Sequence, residues 1–210
     1  MSGIDVEAGR ADVMAAFDVS RETIASLDRI VEALDDWRGR INLIGPKEWP
    51  LVWSRHIADS LQLLPHLPAD GDIVDLGSGA GFPGLVIAAA LAPGGQVELV
   101  ESVGKKCAFL RAAAEAAELP ATVRQTRIES VAPRRVDAVT ARALAPLPKL
   151  LELAYPWLER GGIGLFPKGR TWQEELTAAQ QSWTFTCEAI VSRTHSEGAI
   201  LKISEVIRHA

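Results

Sequence analysis

Eleven residues, VDLGSGAGFPG at positions 74–84, constrain this chain more than any other stretch. The apolar run IVDL at 73–76 ends in Gly77, Gly79 and Gly81, and a second apolar segment, 85–91, follows at once. The order therefore reads as strand, glycine turn, helix. Glycines allow positive φ and let a ligand come against bare backbone, while the N–H groups that open a helix offer donors to polar ligand atoms. A ligand-free βα turn needs one or two glycines, whereas this one carries four within eight positions. The stretch predicts a cofactor cradle.

Two cofactor classes compete for it. Gly79, Gly81 and Gly84 satisfy G-x-G-x-x-G, the dinucleotide fingerprint, which by itself is a weak pattern. That fingerprint places its first glycine directly after the strand, which would draw Gly77 and Ser78, two poor strand formers, into the strand. Asp75 followed by Gly77, Gly79 and Gly81 instead resembles the first motif of Rossmann-like S-adenosylmethionine (SAM) methyltransferases. The resemblance implies an acid that orders the loop and the ammonium side of the methionine moiety.

The remaining chain suits one α/β unit with an appendage. Its 210 residues can bury a core without a metal or disulfide staple, and 48% apolar with 23% charged residues is ordinary for a globular protein. The longest apolar run, 85–92, falls far short of the roughly 20 residues of a membrane span, and the first ten residues carry acids rather than a basic-then-apolar signal. A cytoplasmic protein without membrane contact is expected, as a monomer. Cys107 and Cys187 are too few and too distant for a metal motif or a disulfide framework. The net charge of −5 is segregated: nine basic residues against four acids lie between Lys105 and Lys149, while the first 36 residues hold nine acids and three arginines. Whether those bases meet on one nucleic-acid-binding surface or lie scattered over helices is open at this level.

In order, residues 6–34 predict two helices, with Ser20 as an N-cap and Leu27, Ile30, Val31 and Leu34 on one face. A third helix is expected over 49–64, with Trp53, Ile57, Leu61 and Leu64 on its apolar side. His56 within it reads as a surface or packing residue. Residues 1–68 thus form an N-terminal helical cap, and 69–210 the core. Strands are expected at 96–100, 121–125, 136–140 and 163–166, with helices between them and a closing pair of strands at 183–191 and 199–203. Glu101, at the tip of the second strand about 20 residues past the glycine turn, can take both hydroxyls of a ribose, a step shared by NAD and SAM sites. This alternation, closed by a hairpin, predicts a seven-stranded, mostly parallel sheet with the last strand antiparallel, which is the layout of the SAM methyltransferases.

A closer resemblance emerges from six blocks in order: INLIG (41–45), RHIADSL (55–61), VDLGSGAGFPG, ESVGKKCAFL (101–110), ARALAPL (141–147) and FPKG (166–169). Together they resemble the bacterial glucose-inhibited division protein B family, whose members are 16S ribosomal RNA guanine-N7 methyltransferases. The resemblance implies SAM contacts at Gly77, Gly79 and Phe82, at Glu101, at Ile128 and Glu129 beside the adenine, and at Arg142. It implies 16S ribosomal RNA as partner, free or within a small-subunit assembly particle. Guanine N7 bears an in-plane lone pair and no proton at neutral pH, so no catalytic base and no metal are expected. Arg142, Lys168 and Arg170 at adjacent strand tips are candidate phosphate clamps, with Arg142 also a partner for the methionine carboxylate. A SAM methyltransferase acting on a small molecule or protein, and a dinucleotide-binding oxidoreductase or regulator, are the alternatives.

Overall fold

The computed structural model describes residues 2–209. Two helices open the chain, α1 (Ser2–Ala16) and α2 (Arg21–Arg38). Ser20 caps α2, its hydroxyl accepting from the Thr23 N–H at 3.1 Å. Leu27, Ile30 and Leu34 are wholly buried along one face of α2, at spacings that recur once per turn. Each such side chain contributes roughly 1.5–3 kcal/mol of burial, so a single charge at Ile30 would unseat the helix. Arg10 grips Asp28 with two bonds of 2.6 and 2.7 Å, tying α1 to α2.

The third helix departs from its expected form. Trp49–Leu51 is a 3₁₀ turn, Val52–Ile57 winds as a π-helix, and only Ala58–Leu61 (α3) is α-helical. Trp53, Ile57 and Leu61 are buried as expected, but the next core residue is Leu63 and not Leu64, because the changes of winding break the even four-residue spacing.

Behind this cap stands a seven-stranded sheet of order β3-β2-β1-β4-β5-β7-β6. The strands are β1 (Asp72–Leu76), β2 (Gln96–Glu101), β3 (Ala121–Gln125), β4 (Ala138–Thr140), β5 (Ile163–Lys168), β6 (Trp183–Val191) and β7 (Ala199–Arg208). Neighbours from β3 through β5 pair in parallel, and β7 runs antiparallel to both β5 and β6. The sheet matches the expected layout. Central strands β1 and β4 are buried on both faces, which is why they read as near-continuous apolar runs, whereas edge strand β3 is half exposed.

Helices α4 (Gly84–Ala90) and α5 (Gly104–Ala116) cover one face together with the cap. Helices α6 (Leu147–Leu158) and α7 (Trp172–Gln180) cover the other. The cap joins its face without a break in apolar packing; the edge of Trp37 meets Phe109 of α5 with ring centres 6.1 Å apart. Strand order reverses between β1 and β4, and ligands of open α/β sheets sit outside the carboxyl ends at such a point.

Candidate functional site

At that reversal a trough runs along the carboxyl edge in three joined lobes. The first, about 350 Å³, is lined by Gly77, Gly79, Glu101, Lys106, Ile128 and Glu129, with Ala143 and Leu144 opposite. The second, about 450 Å³, shares Gly77, Gly79, Lys106 and Ala143 with the first and adds Phe82, Arg142 and, from the cap, His56 and Asp59. The third continues past Arg142 to Lys168 and Gly169.

The glycine loop is shaped for close approach. Gly77 sits at φ +66°, and a Cβ there would stand 2.6 Å from Leu144 Cδ1. Glu101 is 7% exposed and accepts from the Gly79 N–H at 3.0 Å and from the Val103 N–H at 2.8 Å, so its carboxylate is aimed across the loop. Ile128 and Glu129 occupy the turn Ile128–Ser130 after β3 and close the far end of the lobe. A bare backbone floor, an oriented carboxylate and an apolar wall fit a nucleoside with its ribose hydroxyls toward Glu101. Gly77, Glu101 and Ile128, which are distant in sequence, line one cavity.

Asp75 lies beneath this floor, 1% exposed, and lines none of the lobes. Its Oδ1 accepts from the Thr140 hydroxyl at 2.7 Å, stitching β1 to β4, while Oδ2 has no hydrogen-bond partner. Burial pushes its carboxyl up to about 6, against the Thr140 hydrogen bond that favours the charged form, while the Ser78 hydroxyl donates to the Asp75 carbonyl at 3.0 Å. The acid of the motif thus orders the strand ends from below.

Phe82 and Arg142 line the second lobe rather than the first. The Arg142 guanidinium carbon lies 5.4 Å from the Phe82 ring centre. Its nitrogens reach Asp59 Oδ2 and the Arg55 carbonyl, both at 3.3 Å, and His56 Nδ1 at 2.7 Å. His56 stacks on Phe82, ring centres 5.0 Å apart and planes 17° from parallel. Burial first, then the charges of Arg142 and Arg55, push its pKa down to about 3. A histidine read from sequence as packing therefore stands in the site wall. Periodicity gives no sign of it; the available signal is the RHIADSL block, which carries both His56 and Asp59 but to which the resemblance assigns no site residue.

The expected clamp of Lys168 and Arg170 does not assemble as a pair. The Lys168 side chain is only 9% exposed, and its ammonium is held by Glu175 at 2.8 Å and the Ala145 carbonyl at 2.7 Å, fastening α7 to the loop after β4. Arg170 is exposed and lines none of the three lobes. Four cations of the basic segment are likewise drawn into ion pairs. Arg124 pairs with Glu98, Arg134 with Asp72, Arg142 with Asp59 and Lys149 with Glu152, four acids that lie outside the segment.

The sheet order with its antiparallel closing strand, and the trough at the reversal, define the Rossmann-like fold of the SAM-dependent methyltransferases. The O-methyltransferase from Bacillus cereus, solved in complex with SAH, superposes with a TM-score of 0.59 at 14% identity, over 98% of this chain and all of that one. Fibrillarin from Aeropyrum pernix, with natively bound S-adenosyl-L-methionine, gives 0.52 at 16% identity, covering 70% and 72% of the two chains. At such identities the likeness is one of fold. Sequence narrows it further: residues 23–202 match the GidB family model, rRNA small subunit methyltransferase G, and the chain belongs to that family. Among its relatives, ribosomal RNA small subunit methyltransferase G of Hyphomonas neptunium is 59% identical, over 95% of this chain and 96% of its own. The protein of the same name from Methylobacterium nodulans is 52% identical over 94% and 95%. Membership in a methyltransferase family removes the oxidoreductase alternative.

Proposed function

We propose that this protein transfers a methyl group from SAM to N7 of a guanine in 16S ribosomal RNA. The observation that carries the reading is the continuity of the trough: a nucleoside-shaped lobe opens through Gly77, Gly79 and Ala143 into a second lobe walled by the flat His56–Phe82 stack. Bound SAM supplies an electrophilic methyl carbon on a sulfonium. Gly77, Gly79, Glu101, Ile128 and Glu129 hold the nucleoside end, and Phe82 and Arg142 border the methyl-bearing end. The task left to the chain is to place N7 roughly 3 Å from that carbon, in line with the departing sulfur, and to keep water out.

N7 needs no deprotonation, and the walls of the second lobe agree with that. His56, with its pKa near 3, is a poor proton acceptor, and Asp59 is already bound to Arg142, Gln62 and Thr194. Residues 1–68 act as a cap that supplies one wall of the acceptor lobe, and 69–210 as the catalytic core. The exposed cations Arg127, in the first lobe, and Arg170, next in chain to Gly169 of the third, with Lys106 between the first two lobes, meet phosphates. The protein works as a monomer in the cytoplasm, on RNA presented alone or in an assembling small subunit; among the described residues no helix is long and apolar enough to cross a membrane.

The test is mass mapping of 16S ribosomal RNA from a strain lacking the gene, with and without the gene restored. Loss and return of one 7-methylguanosine is expected. An unchanged methylguanosine pattern would remove the assignment.

A further inference from the structure

Arginine can only donate hydrogen bonds, so the 2.7 Å contact from Arg142 Nη2 makes His56 Nδ1 an acceptor. In a neutral imidazole the ring proton then sits on Nε2. That nitrogen is buried and has no hydrogen-bond partner. The carboxylate oxygen in its ion-pair range is Glu48 Oε2, at 3.8 Å and beyond hydrogen-bond reach, on a side chain 37% exposed whose Oε1 lies 3.6 Å from Arg55 Nη1. Stacking on Phe82 and the bond to Arg142 fix the ring in direction as well as in tautomer. The charged groups around it are Glu48, Arg55, Asp59 and Arg142, and all line the same lobe. A buried donor left without an acceptor is costly, of order 1–3 kcal/mol, and calls for a ligand atom.

We infer that His56 reads the target base: once Glu48 moves aside, its Nε2–H donates to O6 of the guanine methylated at N7. O6 and N7 lie next to each other on one edge of guanine and are both acceptors, whereas adenine offers a 6-amino donor in place of O6. One fixed donor beside the methyl group therefore accepts guanine and sets donor against donor for adenine. Arg142 acts through His56 as the positioning residue that holds the tautomer. The inference rests on the guanine-N7 reading above.

The test needs small-subunit RNA carrying at the target position either guanine or 2-aminopurine, which keeps N7 but lacks O6. Methyl transfer is measured with the wild-type protein, with His56→Ala, and with His56→Gln, which retains a donor at similar reach. On guanine, His56→Ala is expected to lose about 10- to 100-fold in kcat/KM, and His56→Gln to recover part of it. Wild type should lose a similar factor on 2-aminopurine, with no further loss when His56→Ala meets 2-aminopurine. Any intrinsic change in N7 reactivity is common to both proteins and cancels in the cycle. Independent, multiplying losses would overturn the contact, as would equal use of guanine and 2-aminopurine by the wild type. Failure of the wild type to form 7-methylguanosine on the guanine substrate would instead strike the reading beneath it.

Discussion

The nucleoside lobe and the acceptor lobe share Gly77, Gly79, Lys106 and Ala143, yet they are built in opposite ways. The first is made by strand tips and the loops that succeed them, with the Glu101 carboxylate fixed by the Gly79 and Val103 N–H groups and Glu129 and Lys106 at its walls. The second is walled by side chains far apart in sequence, His56 and Asp59 from the N-terminal helices and Phe82 and Arg142 from the loops after β1 and β4, locked by the Arg142 bonds to Asp59 and His56. A site formed by strand ends comes with the sheet. A site formed across a packed seam depends on that seam.

The largest expected separation between the lobes comes from Arg142→Ala. It strips Asp59 and His56 of a partner at once, and methyl transfer to small-subunit RNA is expected to fall about 100-fold, a loss of roughly 3 kcal/mol in transition-state binding. Cofactor affinity measured by calorimetry should change far less. An equal loss in cofactor binding would move Arg142 to the methionine carboxylate and blur the division.

Glu101→Ala is the converse. Charge-assisted bonds of the kind Glu101 can offer a ribose are worth about 1.5–3 kcal/mol each, so SAM affinity is expected to drop by at least 10-fold while RNA affinity holds.

Buried titratable groups extend the comparison to stability. Asp75, raised to about 6, binds its proton more tightly folded than unfolded, so its burial costs stability above pH 6, and that cost is relieved as pH falls toward 4. His56, lowered to about 3, does the reverse: the folded state gives up stability as pH falls below 6.5. Asp75→Asn should therefore leave a melting profile that declines more steeply on acidification between pH 6 and 4, since the opposing contribution is gone. An unchanged profile would place the Asp75 carboxyl in its ordinary range.

The smallest effects concern the third lobe and its rim. Arg170→Ala should leave stability within about 0.5 kcal/mol and lower the slope of log affinity for RNA against log salt by about one. Lys168→Ala should instead destabilise, because Glu175 loses its partner, and leave that slope unchanged.

Much of the first lobe was legible because it obeys chain order. A glycine word after a strand, an acid at the next strand tip and Ile128 with Glu129 after the third each lie a few residues from a strand end, and parallel pairing brings such ends together. His56 was not legible from spacing, since its role comes from Phe82 and Arg142, 26 and 86 residues away in sequence. Lys168 was misjudged for a related reason: nothing in FPKG announces that Glu175, seven residues further along in α7, reaches back to claim its charge.

Sequence alone determined the alternation of strands and helices, the closing antiparallel strand and the backbone cradle, because these arise from local apolar period and from glycine's freedom at Gly77. Only tertiary structure decided which cations stay free and which polar groups face the trough. Charge pairing and burial depend on distance in space, and no residue's neighbours across a packed seam are written in its own stretch of chain.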